Sequence, residues 1–112
     1  MDDQTSIYES LRAWILQLTG VKEAPHRVGG VEFQVGGVEF MHSHSPSSLD
    51  ILLSKKDQES VLKTGQAVLH RALVHSQAGW VNLQIENLQD LGSAKTVIQL
   101  AYENASKNAG RR

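Results

Sequence analysis

The 112-residue chain contains no cysteine. This absence excludes disulfide bridges, thiolate metal sites and a cysteine nucleophile. No apolar run approaches the ~20 residues that a membrane-spanning helix needs, so we expect no membrane segment. The chain also lacks an excess of charge, because 11 basic and 12 acidic residues leave a formal net charge of −1. Nucleic acid is therefore not an expected partner.

What remains is typical of a small globular domain. Apolar residues make up 40% of the chain, and this length suits one domain with one core. The first ten residues, MDDQTSIYES, are acidic and polar, unlike a secretory signal peptide, so we predict a cytoplasmic protein. Chemistry in such a chain must come from histidine, carboxylate, serine, lysine and aromatic side chains.

Apolar periodicity predicts an α+β domain over residues 1–105, followed by a disordered polar tail at residues 106–112. Helices are predicted at residues 6–18, about 54–64 and about 88–105. Strands are predicted at residues 31–35, 38–44, 49–53, 67–74 and 80–85. VKEAPHR, residues 21–27, is predicted to be a connection. The mostly short turns between strands favour an antiparallel or mixed sheet of about five strands, with N-terminal, middle and C-terminal helices packed on it.

The dipeptide Gly-Gly at positions 36 and 37 predicts a two-residue hairpin turn between the first two of these strands. In a regular hairpin with this turn, Phe33 faces Phe40, and Val31 faces His42. The apolar face that contains both phenylalanines would then continue into His42 and His44. This register predicts that the histidines border an apolar surface.

His42 and His44 are the sharpest local signal, since residues two apart on a strand point the same way, roughly 6.5–7 Å apart at Cα. Imidazole binds Zn, Cu, Fe or Ni and transfers protons near neutral pH. The alternative is that two strand-end histidines are partly solvated and have no role. A third metal ligand could come from His70, His75 or Asp50, although none stands at a spacing that requires it.

Four other side chains bear on the site. Glu39 falls on the face opposite the histidines in a regular strand, which argues against a Glu-x-x-His-x-His metal site unless a bulge intervenes. Asp50 interrupts an apolar strand, where a carboxylate is costly unless it is paired, hydrogen-bonded or at a pocket edge; partial exposure on an edge strand is the alternative. Trp80 lies off the apolar face of its strand and covers a second cluster or walls a pocket. His26, like His75, lies in a polar loop and is predicted to be solvated surface.

Several short motifs follow one another between residues 36 and 105. They are Glu39 followed by His42 and His44, a Leu-Asp-Ile strand around Asp50, Gly65 followed by His70, Gly79-Trp80 opening a strand, and a final helix from about Asp90 to Tyr102. Their order and spacing resemble the small luciferase domain family, which includes short bacterial proteins and the C-terminal part of fungal luciferase.

The resemblance implies reaction of a small aromatic or enolisable molecule with molecular oxygen, without flavin or another cofactor. Such a reaction needs a base that makes an electron-rich enolate and a pocket that shields it from water. Three histidines are predicted to be the catalytic groups of this pocket: His42, His44 and His70. Four further residues are predicted to contact the substrate: Phe33, Phe40, Asp50 and Trp80. We expect no tightly held metal ion.

Two other functions stay open. One is a non-catalytic module of the same fold that binds a small ligand or a partner. The other is a histidine-based metal site. Oxygen consumption separates the enzyme from the binding module, and the placement of the histidines bears on all three.

Overall fold

The computed structural model of the chain describes residues 3–26, 30–69 and 77–110. The helices are α1 (Asp3–Leu16), α2 (Lys55–Thr64) and α3 (Asp90–Gly110). The strands are β1 (Val21–Pro25), β2 (Val31–Val35), β3 (Val38–Ser45), β4 (Ser48–Leu52), β5 (Val68–Leu69) and β6 (Trp80–Gln84). Within these described ranges, no helix combines the length and the apolar character needed to cross a membrane.

The strands form one sheet in the order β1-β2-β3-β4-β6-β5, and every neighbouring pair is antiparallel. Buried side chains of α1 and α3 join those of the sheet in a single apolar cluster. The helical stripes predicted from periodicity supply this packing, with Leu11 and Ile15 from α1 and Val97, Ile98 and Ala101 from α3, all fully buried. The predicted α+β class is confirmed.

Helix α2 begins and ends where its sequence indicates. The Ser54 hydroxyl accepts a hydrogen bond from the backbone N–H of Asp57 at 3.1 Å, which is the usual role of a serine N-cap. At the other end, Gly65 adopts a left-handed conformation with φ of 77°, which favours glycine.

Strand β1 occupies a segment that was predicted to be a connection, so that prediction is wrong. Its register with β2 runs from Val21 opposite Val35 to Pro25 opposite Val31. Pro25 is tolerated because β1 lies at the edge of the described sheet, where a missing N–H need not break the ladder.

Helix α3 also extends beyond its predicted end. It continues through Gly110, so the disordered tail predicted from residue 106 is wrong for residues 106–110, and residues 111–112 lie outside the described ranges. Tertiary contact explains the extension. Ala105 is buried, and a Cβ built on Gly36 would lie only 2.6 Å from the Cβ of Ala109. The last turns of α3 therefore pack against the hairpin turn.

The first hairpin has the predicted turn. Gly36 and Gly37 have φ of 59° and 81°, and Val35 pairs directly with Val38. Positive φ at both central residues is what a type I′ turn requires.

A β-bulge then interrupts the ladder between β2 and β3. Gln34 pairs with Glu39, but the next pair is Phe33 with Met41, so Phe40 is an extra residue in β3. Phe40 and Met41 are both fully buried although they are neighbours in the chain. The regular alternation assumed in the predicted register is therefore wrong from this point onward.

The bulge changes which face each later residue of β3 occupies. His42 pairs with Glu32, whereas the regular hairpin predicted Val31. Ser43 points to the helical side, where its hydroxyl lies 3.0 Å from the hydroxyl of Tyr8 in α1. The histidines of β3 thus lie on the sheet face that is opposite to the helical layer, and the prediction that they continue the phenylalanine face is wrong.

Candidate functional site

Four polar residues stand side by side across the sheet on the face opposite α1 and α3. Glu32 of β2 pairs with His42 of β3, His42 with Asp50 of β4, and Asp50 with Asn82 of β6. Directly opposed residues share a face and lie close enough to interact. The two central members, His42 and Asp50, are each only 4% exposed. A buried polar row is costly unless its members satisfy one another.

His42 is held between two carboxylates. Its Nδ1 lies 2.7 Å from Glu39 Oε2, and its Nε2 lies 3.0 Å from Asp50 Oδ2. The bulge makes the first contact possible, because it brings Glu39 and His42, three residues apart, to the same face. The prediction that Glu39 lies on the opposite face is wrong for this reason.

The protonation of His42 follows from these contacts. Burial lowers its pKa, but the hydrogen bonds to Asp50 and Glu39 and the charges of both carboxylates raise it, and the result is a pKa of about 9. A pKa of about 9 favours the protonated ring at neutral pH, which can donate a hydrogen bond to each carboxylate.

Asp50 connects His42 to a second histidine. Asp50 Oδ2 lies 3.3 Å from His44 Nε2, and Asp50 Oδ1 accepts a hydrogen bond of 2.9 Å from Asn82 Nδ2. The carboxylate is thus paired and hydrogen-bonded on a central strand, as its burial requires. A second bulge, between Ser43 and Ser45, leaves His44 without a partner in the ladder. The side chain of His44 is 44% exposed, so it is the part of this group that solvent reaches.

His26 belongs to the same cluster, and the prediction that it is solvated surface is wrong. Its ring stacks on that of His42, with centroids 4.1 Å apart and planes 11° apart. Its Nδ1 lies 2.9 Å from Glu32 Oε1, and the side chain is only 9% exposed. The hydrogen bond from His26 lowers the pKa of Glu32, and burial opposes this effect only in part. His26 reaches the cluster because it follows β1, the strand that the sequence pattern did not reveal.

Trp80 lies beside the histidines, as expected of a residue that walls a site. Its ring centroid is 4.9 Å from that of His42, and its backbone pairs with Leu52 on β4. Gln58 of α2 donates a hydrogen bond to the Trp80 carbonyl at 3.2 Å. This contact ties the start of β6 to α2.

The other residues predicted for the site do not join it. Phe33 and Phe40 are fully buried in the core on the helical side, and Phe40 packs edge-to-face against Tyr102 of α3. They were predicted to contact substrate beside the histidines, but the bulge separates them from the histidine face. His70 and His75 lie outside the described residues.

Two surface grooves lie near these elements. One, with a cavity volume of about 340 Å³, is bordered by His44, Ser43 and Tyr8, and by Arg12 and Glu23. The other, of about 630 Å³, lies between the start of α1 and residues 86–89. The first groove touches His44, but Tyr8, Arg12 and Ser43 place it on the helical side of the sheet, whereas the His44 ring lies beside Asp50 on the opposite face.

Within the described residues, two sets of side chains have the spacing and chemistry to hold a metal ion. They are His42, His44 and Asp50 in one set, and His26, Glu39 and His42 in the other. In each set the nitrogen and oxygen atoms lie within 4.8 Å of one another. His42 belongs to both sets through its two ring nitrogens.

The model of the luciferase domain family matches residues 37–101, more than half of the chain. The chain therefore belongs to the luciferase domain family. No curated protein and no solved structure matches it. The matched segment includes Glu39, His42, His44, Asp50 and Trp80. It excludes the segments that supply His26 and Glu32.

Proposed function

We propose that this domain reacts a small aromatic or enolisable molecule with molecular oxygen at the centre formed by His42, His44 and Asp50. The observation that carries the proposal is the contrast in exposure within this centre. Asp50 is buried and hydrogen-bonded, whereas the His44 side chain beside it is nearly half exposed. A small molecule that approaches this face of the sheet would meet His44 first.

The chemistry of the proposed reaction matches this arrangement. Oxygen reacts with an electron-rich enolate, with the substrate as the source of electrons, so the site must favour loss of the acidic proton of the substrate. His42, charged and held by two carboxylates, keeps Asp50 in place. Asp50 in turn orients His44, as a buried carboxylate orients a histidine in other acid–base sites. Trp80 gives the centre an apolar wall on the side of His42.

Oxygen uptake in the presence of hydroxylated pyrones and polyphenols tests the proposal. We expect uptake by the wild-type domain that depends on substrate, and a loss of about 10²–10⁴-fold in rate for His44→Ala, the range seen when a positioned proton-transfer group is removed. Ser45→Ala is the matched control, because Ser45 is the exposed neighbour of His44 in β3, and it should retain the wild-type rate.

Two results would contradict the proposal. Saturable binding of these compounds by wild-type protein without oxygen consumption would instead assign the domain as a binding module. Uptake that is equal in wild type and His44→Ala would remove this centre from the reaction. Circular dichroism of each variant establishes that the fold is retained.

A further inference from the structure

We propose that His42 Nε2, His44 Nε2 and Asp50 Oδ2 bind one divalent transition-metal ion. The inference deepens the proposed function, since it concerns the same centre, but metal binding can be measured without any reaction. The expectation of no bound metal depended on the lack of cysteine, on Glu39 lying on the opposite face and on an unassigned third ligand. The bulge at Phe40 removes the second objection, and Asp50, which lies beside both histidines, removes the third.

The separations between the three atoms suit a shared ion. Asp50 Oδ2 lies 3.0 Å from His42 Nε2 and 3.3 Å from His44 Nε2. Nitrogen and oxygen ligands bind such ions at about 2.0–2.2 Å, so neighbouring ligand atoms in an octahedral or tetrahedral shell are roughly 3.0–3.4 Å apart. The ligand atoms of this set all lie within 4.8 Å of one another, so one ion can contact all three with little movement of the side chains.

The count of donors and acceptors also favours a cation at this position. A single oxygen, Asp50 Oδ2, faces two imidazole nitrogens, and the other ring nitrogen of His42 faces Glu39. One divalent ion placed between them would use the lone pairs of all three atoms at once.

The residues around the three ligands have the arrangement of an outer shell. Histidine ligands commonly donate their second N–H to a carboxylate, which fixes the tautomer and the ring orientation. Glu39 has this relation to His42, at 2.7 Å from Nδ1. Asn82 holds the other oxygen of Asp50 at 2.9 Å. Both ligands are thus oriented by groups that need not touch the ion.

The second possible set, His26, Glu39 and His42, fits less well. His26 Nδ1 is closer to Glu32, at 2.9 Å, than to Glu39, at 3.7 Å, so it already has a carboxylate partner. The rings of His26 and His42 are also stacked, with neither directed at the other. The set that contains His44 opens to solvent and leaves coordination positions for water, oxygen or substrate.

The ligands indicate the class of ion. Two imidazoles and one carboxylate with open positions are typical of non-haem Fe(II) sites, and nitrogen–oxygen sets of this kind also bind Zn²⁺ and Co²⁺. Iron(II) would be suited to oxygen chemistry at the same centre. Co²⁺ has the practical advantage that its absorption spectrum reports the ligand number directly.

The test is a titration of chelator-treated protein with Co²⁺, followed by absorption spectroscopy, with anaerobic Fe²⁺ and Zn²⁺ as parallel arms. We expect one equivalent to bind. His44→Ala should weaken binding by more than the 10–100-fold that loss of an outer-shell partner costs, and Glu39→Gln should weaken it within that range. His26→Ala is the discriminating variant and should still bind one equivalent, because His26 is not one of the three ligands.

Failure of wild-type protein to bind one equivalent of any of the three ions would overturn the proposal. So would loss of binding in His26→Ala together with normal binding in His44→Ala, because that result would assign the ion to the second set. Since His44 is half exposed, its variant should fold, which circular dichroism checks. Binding without oxygen uptake would refute the proposed reaction alone, whereas oxygen uptake by protein that binds no metal would refute the metal site alone.

Discussion

Replacement of Met41 by alanine tests the bulge in β3. Met41 is fully buried, because the extra residue Phe40 directs it to the helical side. In a regular strand Met41 would lie on the polar face with Glu39, and its truncation would remove little buried surface. The two registers therefore predict very different costs for the same substitution.

The expected cost follows from complete burial. Truncation of a buried methionine to alanine in a packed core destabilises a protein by about 2–5 kcal/mol. For a domain of this size, each kcal/mol lowers Tm by roughly 4 °C. Met41→Ala should therefore lower Tm by about 8–20 °C. Met41→Leu, which nearly conserves volume, should cost less than about 1.5 kcal/mol.

Urea denaturation followed by circular dichroism measures these differences. The slope of the transition should be unchanged, which shows that the variants differ in stability and not in the surface exposed on unfolding. A change within about 0.5 kcal/mol for Met41→Ala is what surface positions show. That result would refute the bulged register, and with it the placement of Glu39 beside His42.

Two further predictions concern other parts of the fold. The hydrogen bonds from Arg12 lower the pKa of Glu23. The ionised Glu23 therefore stabilises the folded state above its ordinary pKa, and this contribution is lost as the pH falls through the lowered value. Glu23→Gln should reduce Tm slightly at pH 7 and not at pH 2–3, and an equal effect at both pH values would contradict this reasoning. In urea denaturation, Gly36→Ala should destabilise the protein more than Gly65→Ala does. Both residues have positive φ, which costs a non-glycine residue about 1–2 kcal/mol, but only at Gly36 would the new Cβ also meet Ala109, at 2.6 Å. Equal costs for the two substitutions would mean that the end of α3 does not pack on the turn.

The helices and the α+β class could be predicted because their signals are local. The apolar stripes of α1 and α3 repeat at helical spacing, and Gly65 marks the end of α2. Strand β1 has no such signal, since VKEAP contains a charged pair and a proline, and it becomes a strand only by pairing with β2. The extra turn of α3 likewise depends on a distant contact, between Ala109 and Gly36.

The residues of the candidate site could be predicted, but the face of the sheet on which they lie could not. His42, His44, Asp50 and Trp80 do lie together. The face assignment failed because regular alternation was carried through a bulge. A signal was nevertheless present in the strand, since a regular register joins two histidines to the apolar face and exposes Met41. One bulge reverses both placements.

His26 was missed for a different reason. Nothing in its neighbourhood in the sequence suggests a role, because its partner Glu32 lies across a strand pairing that was not predicted. Once β1 is recognised, the end of that strand lies next to the row of polar residues. The prediction therefore lacked the pairing of β1 with β2, and not any information about the chemistry of His26.

The bulge also has a consequence for how this strand can vary in length during evolution. Loss of Phe40 would leave a regular ladder in which Glu39 still opposes Gln34 and His42 still opposes Glu32. Such a chain would keep the same polar face with one residue fewer between its glutamate and its first histidine. Loss of a residue from the paired part of β2 would instead move the remaining residues of that strand to the opposite face of the sheet. Relatives that share this centre can therefore show either one or two residues at that gap, and an alignment that penalises the difference would separate proteins with the same site.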